Sequence, residues 1–262
     1  MGVCQIICKN NPNQVLDIPL ERFSTRELHY NSDNRMEKLR QYLSKNERQM
    51  IQKIRIIYSV LVNDKLEEIE LIRDKFTNRQ SKFLAISLKY CNNLLVLNLR
   101  NNDLGNEGAR LVSLAFKYTT SLKKLVIEDN LVRESGISDL SQQLHNLTSL
   151  EVLSLSQNIM GNAVETFANS LNFLGNLQEL YLQVMEINSN DFTLLSLHLG
   201  RCSQLERLGL GHNKMDTGCL RALDIVLRSL KHLKFLILSG ITLPENDLDE
   251  IVITNSNIQI TL

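Results

Sequence analysis

The amino-acid sequence predicts an α/β fold: a curved solenoid of about seven 28-residue units, with parallel strands on the concave face and α-helices on the convex face. Three observations carry this. A pattern L-x-x-L-x-L-x-x-N-x-L recurs with first leucines at Leu66, Leu94, Leu122, Leu150, Leu177, Leu205 and Leu233, spaced 28, 28, 28, 27, 28 and 28 residues apart. Each copy is followed by apolar residues at helical spacing. And a single copy cannot bury its own apolar face, so the copies must stack.

The clearest copy is Leu94 to Leu104, with Leu94, Leu97, Leu99, Asn102 and Leu104 in the patterned slots. One strand and one helix per unit dictate a parallel sheet, strands on one side and helices on the other. The helical face is expected to hold Leu111, Leu114 and Ala115 in the second copy, Ile137, Leu140 and Leu144 in the third, and Leu220, Leu223 and Leu227 in the sixth. Gly108 and Gly136 are expected where the chain turns tightly into its helix, because a missing side chain eases that turn. The Asn slot has its own reason. Backbone groups at the turn leaving the strand have no ladder partners, and an inward amide both donates and accepts. Asn102, Asn130, Asn158 and Asn213 fit this ladder and Asp74 fits it in part. Met185 and Ile241 do not, so the ladder should break, with a local irregularity, in the fifth and seventh copies.

Two regions flank or end the array, which spans 66–262. Residues 1–65 lack the repeat and are expected to form a mixed or helical cap, since a solenoid needs a covered end. Val3–Cys8 and Gln14–Ile18 suit a hairpin. Asp33 suits the start of a helix with Met36, Leu39 and Leu43 on one face, and a second helix from about Glu47 places Met50, Ile54, Ile57 and Leu61 on one stripe. At the other end Leu243-Pro244-Glu245 opens a shortened helical region near Asp247–Ile253, and Ile258–Leu262 reads as a last strand. Its apolar edge fits a truncation boundary, a homodimer contact or a tolerated short edge.

Composition narrows the function. Twenty-nine basic residues balance 29 acidic ones, so no broad field attracts nucleic acid or an acidic membrane. No apolar run approaches the ~20 residues of a membrane span, and the N-terminus lacks the core of a secretory signal. Five scattered cysteines, an odd number without metal-like spacing, fit a reducing, cytoplasmic setting. Met1-Gly2-Val3-Cys4 resembles an acylation site, but Ile6 stands where that pattern wants Ser or Thr. There is no phosphate-binding glycine loop and no Gly-x-Ser-x-Gly elbow. His145 and His232 hold equivalent places before strands and read as surface residues. His198 and Cys202 are four apart, but two ligands are not a metal site. Cys91 and Cys202 each precede a strand leucine by three and read as packing groups. The expectation is a non-enzyme with no cofactor and no metal.

The motif and its period resemble the leucine-rich repeat superfamily, specifically its ribonuclease-inhibitor-like subclass, over roughly Asp64 to the C-terminus. The shorter repeats of bacterial ubiquitin-ligase effectors, about 20 residues per unit, do not match, nor does their Cys-x-Asp nucleophile motif. A short array rich in Asn and Ile, without an appended enzyme domain, is similar to leucine-rich-repeat effectors of intracellular bacteria. That implies virulence, host-protein partners and a host-cytoplasmic location. The alternative implied by the same subclass is a regulator of an enzyme, a small-GTPase activator or an enzyme inhibitor. An F-box-type adaptor is a third class, which 1–65 does not spell out.

The residues between the leucine slots point onto the concave sheet. In the C-terminal half Tyr181, Arg207, Phe235 and Ile237 gather around Gly209 and Gly211, an interface-like set of large anchors beside a shallow depression. In the N-terminal half Arg100, Lys124, Glu128 and Asp129 form a mixed-charge patch beside Val96, Val126 and Val152, suiting a protein rather than a polyanion. The reading is a non-catalytic protein–protein interaction scaffold that binds mainly through this face.

Overall fold

A computed structural model describes residues 67–73, 78–89, 91–241, 243–244 and 257–262. The expected cap over 1–65, the acylation motif, Asp74 and the short helix near Asp247–Ile253 lie outside the described residues. Eight strands form one sheet in chain order, every neighbouring pair parallel: β1 Glu68–Glu70, β2 Val96–Asn98, β3 Lys124–Val126, β4 Val152–Ser154, β5 Glu179–Tyr181, β6 Arg207–Gly209, β7 Phe235–Ile237 and β8 Gln259–Thr261. The register repeats without a slip, Leu97 opposite Leu125, Leu125 opposite Leu153, and so on to Ile260. Between strands run α1 Asn78–Leu88, α2 Gly105–Ser113, α3 Glu134–Gln143, α4 Val164–Leu171, α5 Ser189–Leu199 and α6 Leu220–Ser229. Strands sit ~4.8 Å apart, whereas packed helices need 8–10 Å. With one of each per unit from β1 to β7, the sheet must curve with its strands on the inside.

The core is one continuous cluster between the two layers. Leu94, Leu97, Leu99 and Leu104 are buried, as are Leu177, Leu180, Leu182, Met185 and Ile187 five slots at a time in the fifth unit. Each such side chain contributes roughly 1.5–3 kcal/mol by leaving water. The third and sixth helices bury the expected Ile137, Leu140, Leu144, Leu223 and Leu227. The second follows expectation in part: Ala115 is buried and Leu111 packs against the core, but Leu114 does not. Leu114 is 44% exposed and Leu111 only half-buried, while Ala109, Val112, Ala115 and Phe116 face the core. Gly108 lies on the side of α2 that packs against α1, where a Cβ would stand 2.9 Å from Ser81 Oγ. This glycine lies within α2 and lets it approach α1 closely, rather than forming a turn. Gly136 acts likewise, since its Cβ would meet the Asn106 backbone at 2.8 Å.

The turns after the strands show what the Asn slots do. Seven positions beyond each first leucine the backbone is left-handed: Arg73, Asn101, Asp129, Gln157, Val184, His212 and Gly240. This single conformation turns every strand toward the helix layer. A second left-handed residue then splits the turns into two kinds. In the third and fifth units it is Leu131 and Glu186; in the second and fourth it is Gly105 and Gly161.

Where Leu131 and Glu186 turn the chain, the next unit's Asn reaches back. Asn158 Oδ1 accepts from the backbone N–H of Asn130 (3.2 Å) and Val132 (3.0 Å), and its Nδ2 donates to the carbonyls of Ile127 and Leu155, both at 2.8 Å. Asn213 does the same for Met185 and Ile187. Where Gly105 and Gly161 turn the chain, backbone carbonyls serve instead: Gly105 N donates to Asn130 O, and Met160 N to Met185 O. The ladder is therefore interrupted at Met185, but no irregularity follows, because the unit before it asks only for a carbonyl. The sheet register through β4, β5 and β6 is unchanged. At the seventh unit the bonding does change: Ile241 N donates back to Leu238 O within its own turn.

Candidate interaction surface

The first and last residues of each strand, and the residue two beyond the last, face away from the helices, and their fates differ by column. The middle column lies deep on β2, β3, β4 and β6, where Asn98, Ser154 and Gly209 are buried and Val126 is only 7% exposed, while Tyr181 and Ile237 of the same column are half-buried. Val126, expected on the mixed-charge patch, is thus floor rather than contact. Neighbouring side chains from adjacent strands close over it. The first column (Val96, Lys124, Val152, Glu179, Arg207, Phe235) stands higher and is half-buried to exposed.

On the C-terminal strands the anchors come together. The Arg207 guanidinium lies 3.8 Å from the centroid of the Phe235 ring. Its Nε is 3.4 Å from Glu179 Oε1, and the Tyr181 hydroxyl donates to Glu179 Oε2 at 2.9 Å. Glu179, Arg207 and Phe235 are in direct register on β5, β6 and β7. Burial first, and then the hydrogen bond to Glu179, push the Tyr181 phenol up to about 12, so it stays a donor at any physiological pH. Ile237 is half-buried beside them. The depression expected over Gly209 and Gly211 is filled. A Cβ on Gly209 would stand 2.9 Å from Tyr181 Cδ1 and 2.8 Å from Gln183 Oε1, and one on Gly211 would stand 2.8 Å from Ser239 O. The glycines therefore let Tyr181, Gln183 and Ser239 lie flat, which makes the surface a shelf rather than a pit.

On the N-terminal strands Arg100 Nε pairs with Glu128 Oε2 at 3.1 Å, and Ser154 Oγ donates to the other Glu128 oxygen. Asp129 accepts from Asn101 Nδ2 across the same pair of turns. Lys124 is exposed and Val152 half-buried on the neighbouring strand. The ladder residues Asn102, Asn130, Asn158 and Asn213 are all buried and face the turns, not this surface.

The remaining candidates do not assemble into chemistry. His198 Nδ1 lies 3.3 Å from Asn172 Oδ1, while Cys202 is buried with its thiol toward Leu171 O. Desolvation pushes Cys91 and Cys202 up to about 12, far from a reactive thiolate. His145 is exposed, its ring edge-on to Phe173. Among the described residues no three His, Cys, Asp or Glu side chains converge as metal ligands, and no helix is long and apolar enough to cross a membrane. What sequence reading missed on the surface is Glu179, which joins Tyr181 to Arg207. Its signal was present: Glu179 and Arg207 occupy the same slot 28 residues apart, and so are neighbours across two strands.

No protein-family profile matches the chain, and no curated protein matches it. Among solved structures, the tropomodulin C-terminal domain of Caenorhabditis elegans superposes with a TM-score of 0.46 at 11% identity, covering 78% of this chain and 98% of that one. The chain is an α/β repeat solenoid, an open parallel sheet alternating with helices.

Proposed function

We propose that this chain is a non-catalytic protein-binding scaffold of the leucine-rich repeat type, gripping its partner with the open face of the sheet around Tyr181, Arg207 and Phe235. One observation carries the reading. An arginine stacked on an aromatic ring and tethered to a carboxylate, with a tyrosine on the same carboxylate, stands half-exposed on three consecutive strands. Arg and aromatic side chains dominate interface energetics when held rigid, and here both are held by the sheet register. The helix between each pair of consecutive strands from β1 to β7 supports the ribonuclease-inhibitor-like subclass. The effector reading, with host-protein partners and a host-cytoplasmic location, is supported by composition alone.

Affinity capture from eukaryotic cytosol, with the Y181A/R207A/F235A triple variant as control, tests the scaffold. The expected result is a partner held by the native chain and lost by a variant that keeps its circular-dichroism spectrum and melting temperature. Undiminished capture by the folded variant removes the open face from the account.

A further inference from the structure

The charges on the open face are not all spoken for, and the remainder describes a partner. Across β2–β7 the outward columns carry three cations, Arg100, Lys124 and Arg207, against two carboxylates, Glu128 and Glu179. Arg100 is matched by Glu128. Glu179 is fully engaged, accepting from Tyr181 on one oxygen and facing Arg207 Nε with the other. Arg207 is only half engaged: among the described residues its two terminal amino groups donate no hydrogen bond. Lys124 Nζ meets no carboxylate, hydroxyl or ring among the described residues. Between these cations lie the half-buried Val152 and then Glu179, already engaged by Tyr181 and Arg207, and beyond Arg207 lie Phe235 and Ile237.

We propose, resting on the scaffold reading above, that the partner presents an acidic and apolar segment. One of its carboxylates meets Lys124 on β3 and a second meets the free fork of Arg207 on β6. An apolar side chain lies over Val152, and another packs against Phe235 and Ile237. Three strand spacings of ~4.8 Å put the two cations about 14 Å apart. A guanidinium already flattened on a ring presents its outer N–H groups as a pair, the geometry a carboxylate accepts bidentately. The face also has a direction, since β1 contributes Glu68 and Glu70 and so repels an acidic segment running past its N-terminal end. Across β2–β7 a basic segment has no comparable seat, because Glu128 and Glu179 already hold their cations.

Selection of random displayed peptides of about twelve residues, enough at ~3.3 Å per residue to cross from β3 to β7, tests this on the full chain. The expected winners carry two acidic positions flanking an apolar one. As synthetic peptides they should lose at least about tenfold in affinity to K124E and to R207E, and versions with Lys in place of the acids should recover binding to the K124E/R207E double variant. Winners without acidic residues, or winners indifferent to both reversals, overturn the acidic segment. If such winners are still lost to Y181A/F235A the scaffold reading survives alone; if they are not, or if nothing is enriched, both fall. A concentration-dependent dimer in sedimentation that disappears with K124E/R207E overturns the proposal in favour of a second copy of this chain.

Discussion

The turns of the third and fifth units and those of the second and fourth do the same job with different atoms. In the first pair a second left-handed residue, Leu131 or Glu186, directs two backbone N–H groups at the side-chain oxygen of the next unit's Asn. In the second pair a left-handed glycine, Gly105 or Gly161, lets a main-chain carbonyl of the next unit accept instead. The lesson is that a slot residue serves the unit before it. Met185 is tolerated because the fourth unit's turn needs only its carbonyl. By the same logic Asn130 follows a glycine turn, and its Oδ1 is buried without a hydrogen-bond partner among the described residues.

The contrast can be broken by substitution. The largest effect is expected for Asn158→Ala or Asn213→Ala, each of which strands two N–H groups and two carbonyls in the core. Urea unfolding should show a loss of about 3 kcal/mol, and a loss below about 1 kcal/mol would remove the capping role. Next, Met185→Asn restores the repeat pattern, yet it should destabilise by about 1–2 kcal/mol. Its amide oxygen would be as orphaned as that of Asn130, and a fully buried side chain would be lost. A gain in stability would mean the two kinds of turn are interchangeable. Gly161→Ala should cost about 1–2 kcal/mol, because φ is +50° there and the new Cβ would sit 3.0 Å from Glu134 Cβ. The smallest effect is a gain: Val184→Asn should raise stability by about 0.5–1 kcal/mol, since a β-branched residue at φ +55° is strained and its side chain is exposed.

Alkaline titration sharpens the picture of the core. Burial raises Cys91 and Cys202 from 9.0 to about 12. The folded state therefore favours the neutral thiols. Their contribution to stability is full below pH 9 and is lost as pH rises from 9 toward 12. Mass-spectrometric mapping after iodoacetamide at pH 8 should find Cys91, Cys202 and Cys219 unlabelled in the native chain and labelled in urea.

The strands, their order and the buried leucines were legible because the 28-residue spacing fixes which residues become neighbours. The helix phase of α2 was not. Leu114 looks like part of a core stripe with Leu111 and Ala115, yet it is exposed, and the close contact of Gly108 with α1 is a tertiary constraint that no single-helix periodicity contains. The role of Met185 was hidden for a similar reason, as it depends on the φ of Gly161 in another unit. On the open face the residue types were readable and their depths were not. Val126 and Lys124 share one strand, yet one is floor and the other rim, because depth comes from how side chains of adjacent strands lean.

Methyl NMR of the full chain with a bound partner segment tests the central claim most directly. Val152 and Ile237 lie on the open face, whereas Leu194, Leu197 and Ile225 are exposed on the helical side. The account predicts shifts at Val152 and Ile237 that saturate with the binding isotherm while the three helical methyl groups stay fixed. Shifts confined to Leu194, Leu197 and Ile225 would place the partner on the helices and contradict it.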